Sequence, residues 1–409
     1  MRVAARAPTA PEAPGTAGAP PRRQAVRDWL AHPVAPYYLL LGSAGLLLAL
    51  GLAMVLSSSG VLALREAGDS FAIVKRQLMW VLAALPVAYL VSRTPLRVIR
   101  AAAWPLLLGS VGLLLLTYVP GLGKTVNGSR NWLDFGGPFG MQPSEAAKLA
   151  LVVWGAHVLA SKGRRIANLR ELTVPLLLGA GVVIALTLGQ KDLGTAIILG
   201  SILFGLLWVA GVPSWLLGVG VVAAGAVAGF FVLAEEYRRN RILSFLDPFA
   251  DKLDTGYQAV ASFYAFGSGG WWGVGLGASR QKWGRLPEAH TDFIFAVIGE
   301  ELGLVGTLVV LALLVVMAYA GLRIATRSND PFVRLCVAAV LTWFMVQSVV
   351  NIGAAIGVMP ITGVPLPLVS YGGSAMVIGL VALGLVLAAA RADPAVRAAL
   401  AVRGAGTRR

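Results

Sequence analysis

The chain is poor in the residues that build disulfides, metal centres and charged surfaces. It has one cysteine, Cys336, and three histidines, His32, His157 and His290, among 409 residues. A single cysteine excludes an intramolecular disulfide, and histidines so far apart in sequence do not predict a zinc site. Only 13% of the residues are charged, about half of what soluble globular proteins carry. The chain therefore lacks the charged surface that is typical of a soluble globular protein.

Acidic residues are also scarce, with 19 Asp and Glu against 34 Lys and Arg, which leaves a formal net charge of +15. Such an excess can indicate a nucleic-acid partner. Here the basic residues lie in short loops and tails between apolar runs, where they are typical of membrane topology. We therefore expect no nucleic acid and attribute the charge to orientation in a membrane.

Apolar residues dominate what remains, at 57% of the chain with a mean hydropathy of +0.77. Several runs approach the roughly 20 residues that a membrane-crossing helix needs. The pattern predicts an all-α, polytopic membrane protein with about ten spans. The expected spans are residues 37–57, 77–93, 103–119, 144–161, 173–189, 194–211, 213–233, 292–325, 332–358 and 371–391.

The basic residues orient these spans. They cluster before the first span, after the second, fourth and eighth, and after the last. All of these segments share one side, which is then cytoplasmic. We expect a disordered cytoplasmic tail at 1–35, an integral membrane domain at 36–391 and a basic cytoplasmic tail at 392–409. We expect the protein to lie in the plasma membrane and to cross it many times.

The opposite, extracytoplasmic side carries one large loop, residues 234–291, between the seventh and eighth spans. Loops of this length are usually functional or disordered. Its aromatic and glycine residues, among them Tyr257, Phe263, Trp271 and Trp272, argue for order. We expect short amphipathic helices that lie at the outer membrane surface.

A first polar cluster surrounds the start of the fourth span. Ser144 follows a proline and can cap the helix, and Glu145 and Lys148 are three residues apart, so they share a helix face. These two residues can form a structural ion pair. Alternatively, Lys148 and Arg130 hold an anionic head group.

A second polar group lies in the tight turn between the fifth and sixth spans. Asp192 precedes Leu193, Gly194 and Thr195 at the start of an apolar run. Its side chain can cap the sixth helix, or it can face the same outer cavity as the first cluster.

The densest cluster is at residues 286–295. Glu288, His290, Thr291 and Asp292 immediately precede a long apolar run. Ionisable residues at the mouth of a membrane helix are costly and predict function. A helix N-terminus favours the ionised carboxylate that a general base needs, so Asp292 is the candidate base. Glu300 and Glu301 lie deeper, and we expect them to pair with other spans.

A fourth segment, residues 359–374, contains three prolines and three glycines and cannot form a regular helix. Irregular backbone at membrane depth is tolerated only where it is buried in protein or lines a cavity. We predict a re-entrant loop that closes the outer cavity, with Ser370 and Ser374 near its end.

Several of these stretches together resemble the SEDS family (shape, elongation, division and sporulation), most closely its FtsW branch. The stretches are Met54–Ser59, Asn127–Lys148, Lys191–Thr195, Tyr257–Phe293 and Pro360–Ser374. Three positions depart from the family pattern, at Lys191, Gly284 and Thr362, and the resemblance assigns them no role.

The resemblance implies a bacterial peptidoglycan glycosyltransferase with ten spans. Such a protein polymerises lipid II outside the cytoplasm and works with a class B penicillin-binding transpeptidase and other division proteins in the membrane. Asp292 is then the expected catalytic base. The expected substrate-binding residues are Arg130, Glu145, Lys148, Asp192, Glu288, His290, Thr291, Ser370 and Ser374. No cofactor is identified, and a divalent cation is left open.

Other functions remain open at the level of sequence. A lipid II flippase would also need a polytopic membrane protein, but its polar groups would follow a path through both leaflets. An elongation-type, RodA-like polymerase is closely similar. A non-catalytic scaffold for division proteins would explain the tails but not the acidic cluster.

Overall fold

A computed structural model describes most of the chain. The described residues are 22–126, 128–134, 136, 140–163, 173–234, 239–240, 244–250, 256–283 and 286–406.

The described part is almost entirely helical. The helices are α1 Arg22–Ala31, α2 Ala35–Ala67, α3 Ala72–Arg93, α4 Leu96–Ala101, α5 Ala103–Leu116, α6 Pro143–Lys162, α7 Leu178–Gly189, α8 Leu193–Ala210, α9 Ser214–Leu233, α10 Tyr257–Gly269, α11 Ile294–Arg327, α12 Pro331–Ala355, α13 Gly373–Ala392 and α14 Pro394–Gly406. A π-helical turn, Thr173–Leu177, leads into α7, and a 3-10 turn, Gln281–Trp283, follows α10.

Seven of the described helices are long and apolar enough to cross a membrane, namely α2, α3, α8, α9, α11, α12 and α13. Two shorter apolar helices, Ala103–Leu116 and Pro175–Gly189, occupy the positions of the third and fifth expected spans. The fourth expected span corresponds to α6, whose side chains are almost all buried inside the bundle. The protein is therefore a multi-pass membrane protein.

The first two expected spans are longer in the structure than the sequence predicted. Residues 58–76 were expected to form an outer loop, but α2 continues to Ala67. Ser58 and Ser59 donate their hydroxyls to the carbonyls of Met54 and Val55, at 2.7 and 2.6 Å. These bonds satisfy the hydroxyls within the helix, so the serines do not end it. The helix ends at Gly68, whose φ of 70° is left-handed.

The bundle is organised around α6, which contacts α5, α8 and α12. Outside this centre, α3 packs along α13, and α2 packs along α11. Helix α9 is different, since none of its described side chains is buried. A helix that is apolar all round and buries nothing within the chain is suited to contact with lipid or with another protein.

The segment between α5 and α6 corrects the all-α prediction. Strands β1 Gly123–Val126, β2 Ser129–Asp134 and β3 Gly140–Met141 form a small antiparallel sheet in the order β1-β2-β3. Val126 pairs with Ser129 across a two-residue turn. The sequence at that turn, Asn127-Gly128, is typical of tight hairpins, and this signal would have identified the hairpin.

Both predicted tails contain a helix, although residues 1–35 were expected to be disordered. Helix α1 lies within residues 1–35, and α14 lies within 392–409. Residues 1–21 and 407–409 lie outside the described part of the chain. Helix α14 begins after Asp393, whose carboxylate accepts a hydrogen bond from Ala395 N at 2.9 Å, an N-cap that explains why the helix restarts there.

Basic residues that the sequence assigned to one side of the membrane meet at one end of the bundle. Arg327, at the end of α11, donates to Pro33 O and Ala31 O, both at 3.2 Å. Arg391, at the end of α13, donates to Tyr37 Oη at 3.1 Å. These contacts place the start of the chain beside the ends of α11 and α13.

The large loop contains the expected helix. Helix α10 buries Ala261, Ser262 and Ala265 and exposes Tyr264, so it is amphipathic as predicted. The segment after α10 pairs with a break in α11 at Gly303, whose φ is 68° and ψ is −165°. Leu304 N donates to Gly270 O at 2.9 Å, and Val274 N donates to Glu300 O at 2.9 Å.

Glu300 and Glu301 are fully buried at this break. Glu301 pairs with another span, as expected, whereas Glu300 accepts hydrogen bonds from residues within 268–281. Glu301 accepts hydrogen bonds from Ser57 Oγ of α2 at 2.6 and 2.7 Å, and from Lys282 Nζ at 3.4 Å. Glu300 accepts from Arg280 N at 2.9 Å and from the hydroxyl of Ser279. The two carboxylates therefore join α11, α2 and the segment that follows α10.

Candidate functional site

The predicted clusters converge on the irregular segment 356–372 between α12 and α13. This segment, called here the 356–372 loop, contacts helices α3, α8 and α12 and the turn that precedes α11. Four hydrogen bonds link it to α3, to α12 and to that turn. They are Tyr371 N to His290 O at 2.9 Å, Gln347 Nε2 to Pro365 O at 2.7 Å, Gly372 N to Gln77 Oε1 at 3.2 Å and Asn351 Nδ2 to Val364 O at 2.8 Å.

Asp292 lies in a turn two residues before α11 and is partly exposed. Its backbone carbonyl accepts a hydrogen bond from Asn351 Nδ2 at 2.9 Å. A Cβ atom at Gly363 would lie 3.8 Å from Asp292 Oδ2, so the 356–372 loop passes directly beside the carboxylate. The position near the N-terminus of α11 favours the negative charge.

Glu288 and Thr291 form the turn that carries Asp292. Glu288 has a φ of 54°, which is uncommon for a residue with a side chain. Its carbonyl accepts from Thr291 N at 3.2 Å and from Phe293 N at 3.1 Å, and its carboxylate accepts from Thr291 Oγ1 at 2.6 Å. Both side chains are next to Asp292 in space, as the sequence predicted from their order.

His290 packs against Tyr371, with ring centroids 5.5 Å apart. Burial lowers the pKa of His290 below its usual range, while the negative charges of Glu288 and Glu66 oppose that shift. The neutral imidazole is therefore favoured in the folded protein. A neutral ring beside Asp292 can donate or accept a hydrogen bond but adds no positive charge to the site.

Asp192 is the N-cap of α8, which is the simpler of its two predicted roles. Its carboxylate accepts from Thr195 N at 2.9 Å and from Thr195 Oγ1 at 2.9 Å. It also accepts from Asn131 Nδ2 at 2.8 Å and Gln142 Nε2 at 3.2 Å. The carboxylate thus ties the sheet and the start of α6 to α8. Two residues after Asp192, a Cβ at Gly194 would lie 2.5 Å from Thr362 O, so the 356–372 loop also contacts α8.

Glu145 and Lys148 form a buried ion pair, with 2.8 Å between Lys148 Nζ and Glu145 Oε1. Lys148 is 1% exposed. Its Nζ also donates to Gln347 Oε1 at 3.2 Å and lies 4.9 Å from the centroid of the Trp343 ring. This geometry supports the structural alternative that the sequence left open, and binding of a head group by Lys148 stays a prediction.

Arg130 is the more accessible of the two predicted cations. It lies on β2 and is half-buried. Its Nη2 donates to Val119 O at 3.0 Å, and its backbone N donates to Gln190 O at 3.0 Å. The strand is therefore attached to the turn that precedes Asp192, and the guanidinium lies on the same side of the bundle as Asp192.

Ser370 and Ser374 both bind protein groups in this structure. Ser370 Oγ donates to Thr291 O at 2.6 Å and accepts from Leu366 N at 2.8 Å. Ser374 Oγ accepts from Gln142 N at 3.3 Å. Their predicted contact with substrate is untested, and their observed contacts hold the 356–372 loop against its neighbours.

Sequence reasoning missed the amide side chains that connect these clusters. They are Gln77, Gln142, Gln347 and Asn351, and all four lie at or near the ends of apolar helices. A buried amide inside an otherwise apolar run needs hydrogen-bond partners. That rule would have marked Gln347 and Asn351 on α12 as candidates, but not their partners.

No group of three or more potential metal-ligating side chains is found among the residues that the structure describes. The acids near Asp292 are held apart by other interactions. Glu288 binds Thr291, Asp192 caps α8, and Glu145 pairs with Lys148.

A helical bundle that spans a membrane many times, with carboxylates and amides bonded to an irregular loop, defines a polytopic membrane protein with a candidate site for a polar ligand. A family model described as "Cell cycle protein", covering FtsW, RodA and SpoVE, matches residues 37–394. The chain belongs to this family, which confirms the resemblance seen in its sequence.

Two relatives match most of the chain. It is 43% identical to the "Probable peptidoglycan glycosyltransferase FtsW" of Mycobacterium tuberculosis over 392 residues, which is 96% of this chain and 75% of the relative. It is 39% identical to the protein of the same name from Geobacter metallireducens, covering 82% of this chain and 90% of the relative.

Two solved structures share the fold. One belongs to a peptidoglycan synthase complex studied for the coordination of polymerization and crosslinking. It has a TM-score of 0.70 and 32% identity and covers 86% of this chain and 97% of its own. The other is the rod shape determining protein RodA of Thermus thermophilus, with a TM-score of 0.65 and 29% identity, covering 90% and 99%.

Proposed function

We propose that the chain is a peptidoglycan glycosyltransferase that polymerises lipid II during bacterial cell division. The relatives of that name, similar over most of the chain, support the activity and the division-type branch. The likeness to RodA keeps an elongation-type polymerase as the nearest alternative. The observation that carries the site is the Asp292 carboxylate, partly exposed beside an irregular loop where the predicted polar clusters meet.

The chemistry needs one base. The 4-hydroxyl oxygen of the acceptor sugar attacks the anomeric carbon of the donor, and the bond from that carbon to the diphosphate oxygen breaks. The hydroxyl proton passes to the Asp292 carboxylate, while the electron pair leaves with the diphosphate. A single attack inverts an α-linked diphosphate to a β-1,4 glycan. Proton transfer by a positioned side chain of this kind contributes roughly 10²–10⁴-fold to rate.

The departing diphosphate needs positive charge or hydrogen-bond donors. Arg130 is the first candidate because it is half-buried on the sheet beside the site, whereas Lys148 is enclosed by Glu145, Gln347 and Trp343. We propose that Arg130 contacts the diphosphate or a nearby head-group oxygen. Substitution by alanine should weaken lipid II binding, and unchanged affinity in folded protein would remove Arg130 from the site.

The deciding experiment incubates purified protein with labelled lipid II and measures glycan polymer. Asp292→Asn should lower the rate of polymerisation by the roughly 10²–10⁴-fold that a positioned base contributes, while the protein still folds and binds lipid II. Asp393→Asn is the matched control, since it makes the same change at the N-cap of α14, where asparagine can also cap a helix. Polymer from Asp292→Asn at near wild-type yield would remove Asp292 as the base.

A lipid II flippase would transport lipid II without forming polymer. The purified protein should therefore also be placed in vesicles and tested for translocation of lipid II. Transport would need polar groups along a path through both leaflets. The deeper carboxylates, Glu300 and Glu301, are fully buried and bonded to Ser57, Ser279 and Lys282. These contacts favour a structural role for them and support catalysis at the outer end.

The partner we propose is a class B penicillin-binding transpeptidase with a membrane helix, beside other division proteins. The solved relative in a peptidoglycan synthase complex supports an assembly of this kind. Helix α9 and the exposed Trp271 and Trp272 offer apolar surface for contacts within or at the membrane. The rate with the purified transpeptidase should exceed the rate of the chain alone, and equal rates would contradict the dependence.

We also propose the sidedness that the basic residues predicted, with both termini in the cytoplasm and Asp292 outside. The gathering of Arg327 and Arg391 beside the start of α2 supports it. The predicted count of ten spans, with α5, α6 and α7 included, is part of the same proposal.

A further inference from the structure

The turn that carries Asp292 is held by an unusual set of hydrogen bonds to its backbone. Three consecutive carbonyl groups each accept a hydrogen bond from outside the turn. The bonds are Tyr371 N to His290 O at 2.9 Å, Ser370 Oγ to Thr291 O at 2.6 Å and Asn351 Nδ2 to Asp292 O at 2.9 Å. The first two donors belong to the 356–372 loop, and the third belongs to α12.

These bonds matter because Asp292 has no regular secondary structure to hold it. Helix α11 begins only at Ile294. Within the turn, the bonds from Thr291 N and Phe293 N both end on Glu288 O, a residue in a strained left-handed conformation. A base must be placed within a fraction of an ångström of its target. Hydrogen bonds to the backbone that carries the base supply that accuracy.

Asn351 makes the bond that is nearest to the carboxylate. It is 2% exposed and lies in the last two turns of α12. Its Nδ2 also donates to Val364 O at 2.8 Å, so one amide group uses both of its hydrogens on carbonyls from two segments. The reversed amide would point an oxygen at two carbonyl oxygens, so the assignment of Nδ2 follows from the contacts.

The second hydrogen bond of Asn351 holds the loop segment that lies beside the Asp292 carboxylate. Val364 follows Gly363, and Gly363 is the residue of the 356–372 loop that faces Asp292 Oδ2. Asn351 therefore sets the distance between the backbone of Asp292 and the loop that faces its side chain. The helix that carries Asn351 is well packed, with Trp343, Phe344 and Ala355 buried, so the amide is a rigid reference point.

We propose that Asn351 is a positioning residue: its amide fixes Asp292 and the facing Val364 segment in the geometry that the glycosyl transfer requires. This inference rests on the proposed role of Asp292 as the base. Asn351 touches neither substrate nor the transferred proton in this scheme. Its effect must therefore appear in kcat more than in the affinity for lipid II.

The test compares three substitutions of Asn351 in the full-length protein. Asn351→Asp keeps the shape but replaces the donor with an oxygen that faces two carbonyls, and Asn351→Ala removes the group. Asn351→Ser keeps one donor. It provides a folded variant for the same measurement if the other two variants fold poorly. We expect kcat to fall on the order of a hundredfold in Asn351→Asp and Asn351→Ala, the effect of an error of about 1 Å in a reacting group, with a smaller fall in Asn351→Ser.

Ser262→Ala is the matched control. Ser262 is buried, and its hydroxyl donates to Ala355 O at 2.6 Å, one turn beyond Asn351 on the same helix. The substitution Ser262→Ala removes a buried hydrogen bond from the end of α12 and leaves the hydrogen bonds of the Asp292 turn unchanged. Thermal unfolding should shift in both sets of variants, but kcat should fall only in the Asn351 set. A kcat within about twofold of wild type in folded Asn351→Ala, or a loss confined to KM, overturns the proposal.

A second comparison separates this inference from the proposed function. Asn351→Ala is added to Asp292→Asn, and the residual rate is measured. Residues that act through one another are not additive, so the double variant should be no slower than Asp292→Asn alone. An additional loss would show that Asn351 acts independently of Asp292. If Asp292→Asn itself keeps its activity, the base assignment fails, whereas an inactive Asp292→Asn beside an active Asn351→Ala removes only the positioning role.

Discussion

The buried charge of Lys148 is balanced by three neighbours, and this balance makes a prediction at the scale of single residues. Glu145, Gln347 and Trp343 surround its ammonium group. Removing one member of a buried pair leaves an uncompensated charge, which typically costs about 3–5 kcal/mol, while replacing both members can be nearly neutral.

We therefore expect Glu145→Gln and Lys148→Met to lower the free energy of unfolding by about that amount each, and the double variant Glu145→Leu/Lys148→Met to recover most of the loss. Unfolding in detergent measures the effect. The double variant also tests the alternative role of Lys148. If a stable double variant loses its affinity for lipid II, at least one of Glu145 and Lys148 binds substrate after all.

His290 predicts a pH dependence. Because burial lowers its pKa in the folded state, the unfolded chain takes up a proton first as the pH falls below about 6.5, the ordinary value for histidine. Stability from the neutral ring is thus present above that pH and is lost towards the lower folded pKa. Glu288 and Glu66 raise the folded pKa and shorten this window.

The measurement is the midpoint of thermal unfolding between pH 8 and pH 5 for wild type and for His290→Gln, which does not titrate. We expect a steeper decline below about pH 6.5 in wild type than in the variant. Parallel curves for the two proteins would show that other groups cause the dependence.

At the scale of elements, the break in α11 is the feature that connects the large loop to the membrane bundle. Gly303 has a left-handed φ of 68°, and a Cβ there would lie 2.4 Å from Gly273 N and 2.6 Å from Trp271 O. The break therefore depends on glycine, since any side chain would collide with the backbone of the paired segment.

Gly303→Ala should lower the free energy of unfolding by at least the roughly 1–3 kcal/mol that one strained residue costs. Gly220→Ala in α9 is the control, because a Cβ there has no neighbour within 4 Å, and alanine is the better helix former. A comparable loss from both substitutions would mean that the break is not the sensitive feature.

At the scale of the whole molecule, the near absence of cysteine allows a clean test of sidedness. Cys336 is buried, at 1% exposure, so single cysteines introduced elsewhere can be labelled without interference. Lys124→Cys lies on the sheet, where the lysine side chain is 62% exposed, and Ala401→Cys lies on α14 in the C-terminal tail.

In intact spheroplasts, a membrane-impermeant maleimide should label Lys124→Cys, and it should label Ala401→Cys only after permeabilisation. The protein with Cys336 alone should stay unlabelled in both conditions. Labelling of Ala401→Cys in intact cells would place the C-terminus outside and invert the proposed topology.

The sequence by itself determined the membrane character of the chain and the approximate positions of most spans, and it predicted the candidate site at residues 286–295. Each of these is a local property. Hydropathy along a run sets the cost of leaving lipid, and several ionisable residues beside an apolar run are visible without knowledge of the fold. The expected span at 292–325 and the observed α11 differ by only two residues at each end.

Only the tertiary structure decided which polar groups belong together. Lys148 meets Gln347 from 199 positions away, and Asn351 meets Asp292 from 59 positions away. A buried polar group needs a partner, but its chemistry does not identify which partner it will find. The end of α2 illustrates the same limit. The first expected span ended at residue 57, but Ser58 and Ser59 bond to the helix's own carbonyls, and the helix continues to Ala67 along α11.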